Sequence, residues 1–489
     1  MSSVDPNSIT PEMLGTLLQN IFCPNTEIIK KATEILKQYF KLPICINPLL
    51  SYATTCSDTR LRLLACISLR KRIKVHWEAQ DASFKATIKT TLLNTFIAES
   101  DTKIKENLAY LIGTLGSLLV PNNEWPELFG FIVSKCQSAN AGDVEQAMLL
   151  LYAICEKLGS ALENYLSSIL EILNKLIHVE NINIQILAIK TIEEIMLSNI
   201  TVGSLSKVVE LIPQMLQTMV NLESNSSFLH ELFDKLVELL DVQGVLIPHL
   251  PLLLNKALAI SANPNNSNDL RIVTLTFVQM AIESNSKTIR KDKDLIVKIL
   301  ETAFTVCKED EEKFDEDDET PTDAALDLIE QYAFKFQNKV IYPLIISGCE
   351  TFLKSSDPLA RRAALLILGT ASKGIESVLK KNLESVLNVL LQCSGDADIR
   401  VQEACIMAIS FLVDNLSFNT FKYHSKIIPL LTTEMENKPE KVRTRAFYAL
   451  QAFCGNLNQK EILPYLKLLL HSLLTYLNDQ KMYCSCYIG

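Results

Sequence analysis

Ser356–Ser372 reads SDPLARRAALLILGTAS, and Gly395–Leu412 reads GDADIRVQEACIMAISFL. Each opens on turn residues and an aspartate, passes a basic residue, and enters an apolar run. Three further segments repeat the design: SDTRLRLLACISLRKRI from Ser57, SDTKIKENLAYLIGTLG from Ser100 and NKPEKVRTRAFYALQAF from Asn437. Arg361 and Arg400 are 39 residues apart, Arg400 and Arg443 are 43, and Asp58 and Asp101 are 43. Weaker copies begin near Asp143, Asn183, Asn225, Asp269 and Pro321. A period of about 40 residues, with one supersecondary unit per copy, is the signature of a stacked array. The spacing predicts about eleven helical pairs over the 489 residues, the first near Pro11–Tyr39.

Each copy holds a helix with one apolar stripe. In Ala397–Leu416 the stripe is Val401, Ala404, Cys405, Ala408, Ile409, Leu412 and Val413, at steps of three and one. Asp396 stands before it and is expected to cap its first turn. The partner helices, FKYHSKIIPLLTTEM and NKVIYPLIISGCETFL, contain Pro429 and Pro343 and are expected to kink there. A kinked first helix, a short turn with Asp and a second helix with an early Arg make a HEAT repeat. The expected fold is all-α, a right-handed HEAT solenoid of the armadillo-like α-α superhelix class. An armadillo array proper would need a third short helix per unit, and none is visible. One pair cannot bury its apolar face alone, so neighbours bury it for each other. Asp58, Asp101, Asp357 and Asp396, with Arg361, Arg400 and Arg443, are the expected repeat residues. They would form a ladder of Asp and Arg along successive turns, with second helices lining the concave side.

Charge is distributed unevenly. The chain carries 56 acidic and 47 basic residues, a net of −9. In the run KEDEEKFDEDDE at 308–319, the eleven residues from Glu309 hold Glu309, Asp310, Glu311, Glu312, Asp315, Glu316, Asp317, Asp318 and Glu319, against one lysine, Lys313. Almost the whole imbalance therefore sits between two helices of one unit. Like charges at this density repel, and the run is expected to be an extended loop that steers a basic partner.

Other features exclude whole classes. An acidic balance disfavours nucleic acid as the main partner. The opening MSSVDPNSIT lacks a basic-then-apolar pattern, so no signal peptide is expected. The run LIPHLPLLLNKALAI is interrupted by Pro248, His249, Pro251 and Lys256, and no membrane span is expected. Thirteen scattered cysteines without paired CxxC spacing point to a reducing compartment. Histidines 76, 178, 230, 249, 424 and 471 show no HExxH, so no metal site is assigned. GxxxxGK[ST], GxGxxG and GxSxG are missing, and no catalytic residue or cofactor is expected. Trp77 and Trp125 read as packing residues, and RKRIKVHW at 70–77 as a helix end whose cations suit the dipole.

The stretch IIKKATEILKQYFKLPICINPLLSYATTCSDTRLRLLACISLRKRIKVHW, ending in Leu69, Arg70, Lys71, Arg72, Ile73 and Trp77, resembles an importin N-terminal domain. The stretch 357–416 is similar to the central repeats of importin-beta-superfamily (karyopherin) receptors of the importin-four and importin-five type. Those also carry an acidic insert before a TP…A helix, here Thr320, Pro321, Ala324 and Ala325. The resemblance implies an importin domain at 1–80, HEAT units at 81–307, the acidic insert at 308–320, HEAT units with a final unpaired helix at 321–477, and an atypical tail at 478–489. It implies a monomeric nuclear import receptor shuttling between cytoplasm and nucleus through nuclear pores, with neither nucleic acid nor membrane as a direct partner. Ran-GTP, Phe-Gly nucleoporins and basic cargo of the ribosomal-protein or histone class would be its partners. Arg62 and Arg70 would offer an N-terminal Ran surface, and the acidic run would meet Ran or cargo. Such receptors are usually about twice this length, so a truncated terminus is expected. An exportin of the same superfamily, or a HEAT scaffold for a phosphatase or tubulin, are the alternatives.

Overall fold

The computed structural model describes residues 8–478, apart from 199, 220, 221, 223, 224, 243, 245, 311–317, 337, 417, 437, 438 and 456. The regular structure of the described residues is all helical, joined by short turns, with no strand among them. They divide into two compact units, Met1–Ser224 and Asn225–Gly489.

The first unit holds α1 (Pro11–Asn20), α2 (Thr26–Tyr39), α3 (Ile46–Thr55), α4 (Thr59–His76), α5 (Ala82–Ala98), α6 (Thr102–Leu119), α7 (Pro126–Cys136), α8 (Ala141–Leu158), α9 (Leu166–Leu176), α10 (Ile182–Leu197), α11 (Val202–Val209) and α12 (Ile212–Met219). The second holds α13 (Ser226–Leu239), α14 (Leu250–Ser261), α15 (Asn268–Ile289), α16 (Lys293–Cys307), α17 (Pro321–Lys335), α18 (Asn338–Leu353), α19 (Pro358–Ala371), α20 (Glu376–Cys393), α21 (Ile399–Leu416), α22 (Phe418–Phe421), α23 (His424–Glu434), α24 (Glu440–Gly455), α25 (Gln459–Ile462) and α26 (Leu466–Asn478). Five helical pairs, closed by the broken helix α11–α12, build the first unit. The second opens on α13, continues through five pairs, and ends on α26.

The two helices of a pair differ because they are buried differently. First helices show one stripe, as in α5, where Ile88, Leu92 and Phe96 alone are buried. Second helices are covered on several sides, as in α6, which buries Ile104, Leu108, Ala109, Leu111, Ile112, Leu115 and Leu119. The packing explains this: α4 meets α6, α6 meets α8 and α8 meets α10, while each also packs on its own first helix. In the second unit α15, α17, α19, α21 and α24 stack the same way. The terminal α2 buries only Ala32, Leu36 and Tyr39, as an end repeat does with one neighbour. The stripe expected in α21 is buried throughout, from Val401 to Leu416.

Pro343 and Pro429 stand inside helices, where the sequence places them. α18 and α23 run through Pro343 and Pro429 as single helices, and α23 begins at His424 rather than at Phe421. The helix interior that breaks geometry is at Asn285 in α15 (φ −125°, ψ 23°), where no proline stands. The N–H that proline lacks is one bond among many in a helix held by tertiary packing, and packing retains the helix across it.

Close stacking requires small residues at the crossings. A Cβ on Gly113 would lie 2.3 Å from the Ala153 carbonyl oxygen of α8, and one on Gly369 2.9 Å from Ala408 Cα of α21. Glycine to alanine in a helix interior ordinarily stabilises by about 1 kcal/mol. Here the clash is with backbone, so the sign reverses: Gly113→Ala is expected to cost about 1–3 kcal/mol, read as a lowered urea midpoint. A rise in the midpoint would contradict the close crossing of α6 and α8.

Candidate functional site: the turn ladder and the acidic run

Several second helices begin on side-chain caps, though α15, which follows Ser267, does not. Asp58 accepts from Arg60 N–H (2.8 Å), Asp101 from Ile104 N–H (3.0 Å) and Asp357 from Leu359 N–H (3.0 Å). Capping fixes which residue closes the first turn. The N–H groups of Arg62, Arg271, Arg361, Gln402 and Arg443 donate to the carbonyls of Asp58, Ser267, Asp357, Asp398 and Pro439, each four residues earlier. Three of these arginines reach across to the next turn. Arg361 binds Asp396 in fork geometry (2.7 and 2.9 Å) and also donates to the Ser355 and Ser356 carbonyls (3.0 and 3.1 Å). Arg271, nearly fully buried, donates to Glu309 (2.6 Å) and to the Ser261 carbonyl (2.9 Å). Arg62 pairs with Glu99, whose other oxygen accepts the N–H groups of Ser100 and Asp101 (both 2.9 Å). Each guanidinium thus ties the end of its own first helix to the following turn.

A ladder exists, but its membership differs from the expected one: of the expected aspartates Asp396 takes an arginine from the neighbouring turn, whereas Asp58, Asp101 and Asp357 cap their own helices, and Arg400 stands elsewhere. Asp396 does not cap α21; it accepts from Asp398 N–H and is the partner of Arg361, while Asp398 accepts from Arg400 N–H (both 2.9 Å). Helix α21 starts two residues later than the aspartate pattern suggests, because Gly395–Asp396 belong to the turn. Arg400 is then two residues past its cap, not four. The repeat-equivalent residue is Gln402, 41 residues from both Arg361 and Arg443. Its side chain donates to the Asp396 carbonyl (2.6 Å). Arg400 instead grips Asp398 (2.7 Å) and Asp310 of the acidic run.

The run's two ends are described; Glu311, Glu312, Asp315, Glu316 and Asp317 lie outside the described residues. At its root, three consecutive residues engage three turns. Lys308 pairs with Asp357 (2.9 Å), Glu309 with Arg271, and Asp310 with Arg400. The Glu309 carbonyl also accepts from Arg362 (3.2 Å). At its far end, Thr320 and Asp323 form a reciprocal capping box on α17. Asp318 and Glu319 there border a groove of about 690 Å³, together with His230, Asp234 and Val237 of α13 and Asp269, Ile272, Val273 and Thr276 of α15. Asp234, Asp269, Asp318 and Glu319 are all exposed, so four carboxylates rim a partly apolar floor.

The proposed N-terminal surface is largely engaged internally. Arg62 is held by Glu99, with side chains 19% and 5% exposed, and the Arg70 guanidinium lies 5.5 Å over the Tyr110 ring. Trp77 is buried under Lys85, 5.3 Å from its ring. Helix α4 ends at His76, whose Nε2 lies 3.0 Å from the Phe40 carbonyl. Sequence reasoning missed Glu99, Arg271, Asp398, Gln402, Asp234 and Asp269. Counting four residues from each cap would have found Arg271 and Gln402; nothing in the sequence points to the groove's α13 residues. Among the described residues no cluster of three or more potential metal ligands occurs, and no helix is long and apolar enough to cross a membrane.

Electrostatics gives the ladder a pH signature. Hydrogen bonds from Arg361 hold the Asp396 carboxyl below its ordinary value, and those from Arg400 hold Asp398 at about 2. A carboxylate with a depressed folded pKa stabilises above the unfolded pKa of about 4, and that contribution disappears as pH falls through the folded value. The Arg361–Asp396 pair is mostly buried, with side chains 19% and 13% exposed. Arg361→Ala is therefore expected to cost about 2 kcal/mol at pH 7, and the difference from wild type should shrink as pH falls below ~4. Urea unfolding at pH 7 and pH 2.5 measures it; an equal loss at both pH values would show that the charge pair is not the cause.

Two family models match in tandem: the importin-beta N-terminal domain over residues 32–98, and IPO5-like TPR repeats over 100–256. The chain is 25% identical over 477 residues to the probable importin subunit beta-4 of Schizosaccharomyces pombe, covering 95% of this chain and 44% of that protein. It is 24% identical over 451 residues to importin-4 of Mus musculus, covering 88% and 41%. It thus spans less than half the length of these relatives. The fold matches crystal structures of Kap121p bound to Pho4p (TM-score 0.84, 19% identity, 97% of this chain and 48% of that one) and bound to RanGTP (TM-score 0.83, 19%, 97% and 47%). The chain thus carries an importin-beta N-terminal domain followed by IPO5-like repeats, and is similar along most of its length to importins of the importin-4 and importin-5 type.

Proposed function

We propose that this chain acts in nuclear import, binding basic protein cargo and Ran-GTP on the turn-and-second-helix face of its stacks and passing nuclear pores with nucleoporins. The observation that carries the reading is the placement of the acidic run. Nearly all the net charge sits in one insert whose root is tied into the stack and whose far end borders an acid-rimmed groove. Concentrated negative charge on a fixed frame steers a basic partner and adds salt-dependent affinity. Family relatives named importins support this direction, as do the Kap121p structures with RanGTP, with Nup53p and with Pho4p. Import requires cargo and Ran-GTP to oppose each other, a reciprocal coupling between two sites on one flexible array. The same reading makes the receptor a monomer that shuttles between cytoplasm and nucleus.

Two measurements test the reading. A pull-down with this chain is expected to retain Ran loaded with GTP and to lose it when loaded with GDP. Equal retention of both, or of neither, would reject the Ran assignment, and cargo binding promoted by Ran-GTP would convert the reading to export. Replacing Asp315–Glu319 with Ser and Gly is expected to leave folding intact. It should weaken binding of a basic peptide and flatten its dependence on salt. Unchanged binding would make the run a solvated spacer.

A further inference from the structure

Arg400 stands out of the repeat register. The position that builds the ladder in its unit is filled by Gln402, and Arg400 spends its guanidinium on Asp398 and on Asp310, 90 residues away in sequence. The root it holds has graded strength. Glu309 is fixed by Arg271, whose side chain is 3% exposed, so this end is a buried anchor. The Asp310–Arg400 pair has side chains 51% and 38% exposed, so this end is solvated and exchangeable. Asp310 is also the first residue of the run beyond that anchor.

We propose that Arg400 is an internal competitor for basic ligands: a cation supplied by the stack itself that occupies the start of the acidic run until a polycationic partner displaces it. The proposal rests on the reading that the run binds basic partners. An exposed ion pair is weak enough to be replaced by an incoming lysine or arginine without unfolding anything. The buried Glu309–Arg271 contact keeps the run's root in place during the exchange. Arg400 remains seated on Asp398 after release, because its two hydrogen bonds there (3.0 and 2.7 Å) do not involve Asp310. The device sets a threshold: isolated cations exchange poorly with a tethered guanidinium, whereas a chain of linked cations gains from simultaneous contacts.

The test uses the whole chain and a fluorescent deca-lysine peptide, with anisotropy at low salt. Arg400→Ala is expected to bind the peptide roughly two- to fivefold tighter than wild type, and Arg400→Lys to return to the wild-type value. Arg445→Ala removes the same charge from an exposed site on α24 whose partner is Glu403, at 3.8 Å, and it is expected to change little. Amide exchange of the peptide covering Cys307–Asp310 should accelerate in Arg400→Ala and not in Arg445→Ala. Equal tightening in both variants, or no tightening in Arg400→Ala, would overturn the competitor role. If Arg400→Ala fails to fold, Arg400→Gln, which keeps a donor for Asp398, carries the same expectations. Failure of the parent reading is separate: wild type and the chain with Asp315–Glu319 replaced would then bind deca-lysine equally.

Discussion

Everything in this protein depends on the burial of second helices against second helices. A helix such as α6 or α21 carries apolar residues around most of its circumference, and no single partner can cover them. Its own first helix covers one side, and the second helices before and after cover two more. Each buried Leu or Ile contributes about 1.5–3 kcal/mol, so the array is stable only when neighbours are in place. Glycines at the crossings, Gly113 and Gly369, let the backbones approach. Within each unit this fixes the register of one pair on the next and places consecutive turns along one edge.

The ladder is a consequence of that register. The start of each second helix sets which residue lies four positions on and faces the following turn. Arg62, Arg271 and Arg361, so placed, find a carboxylate at the end of the next first helix: Glu99 after α5, Glu309 after α16 and Asp396 after α20. The acidic run therefore begins on a ladder position. Its first carboxylate, Glu309, is a structural partner, and its second, Asp310, is held by an out-of-register arginine. The insertion is rooted so that the Glu309 rung is kept.

The repeat and its apolar stripes were legible from residues alone, because a period near 40 and a 3.6-residue stripe are properties of one dimension. Asp58, Asp101 and Asp357 were legible as repeat positions, but the structure makes them caps and not partners of the ladder arginines. Gly395-Asp396-Ala397-Asp398 was ambiguous: two aspartates two apart both precede the same stripe, and either can serve as cap. Only the approach of Arg361 from the previous turn assigns Asp396 to the ladder and leaves Asp398 to cap. Arg400 was miscounted for the same reason, by two residues.

By itself, the sequence determined the helical repeat, the position of the concentrated charge and the resemblance to a receptor family. Periodicity, composition and motif order require no coordinates. The tertiary structure decided which carboxylate each arginine takes, that Asp310 meets Arg400, and that Asp234 and Asp269 share a groove with Asp318 and Glu319. Those pairings join residues 35–90 positions apart, and their partners are chosen by the stacking register, which exists only when the apolar faces are buried together.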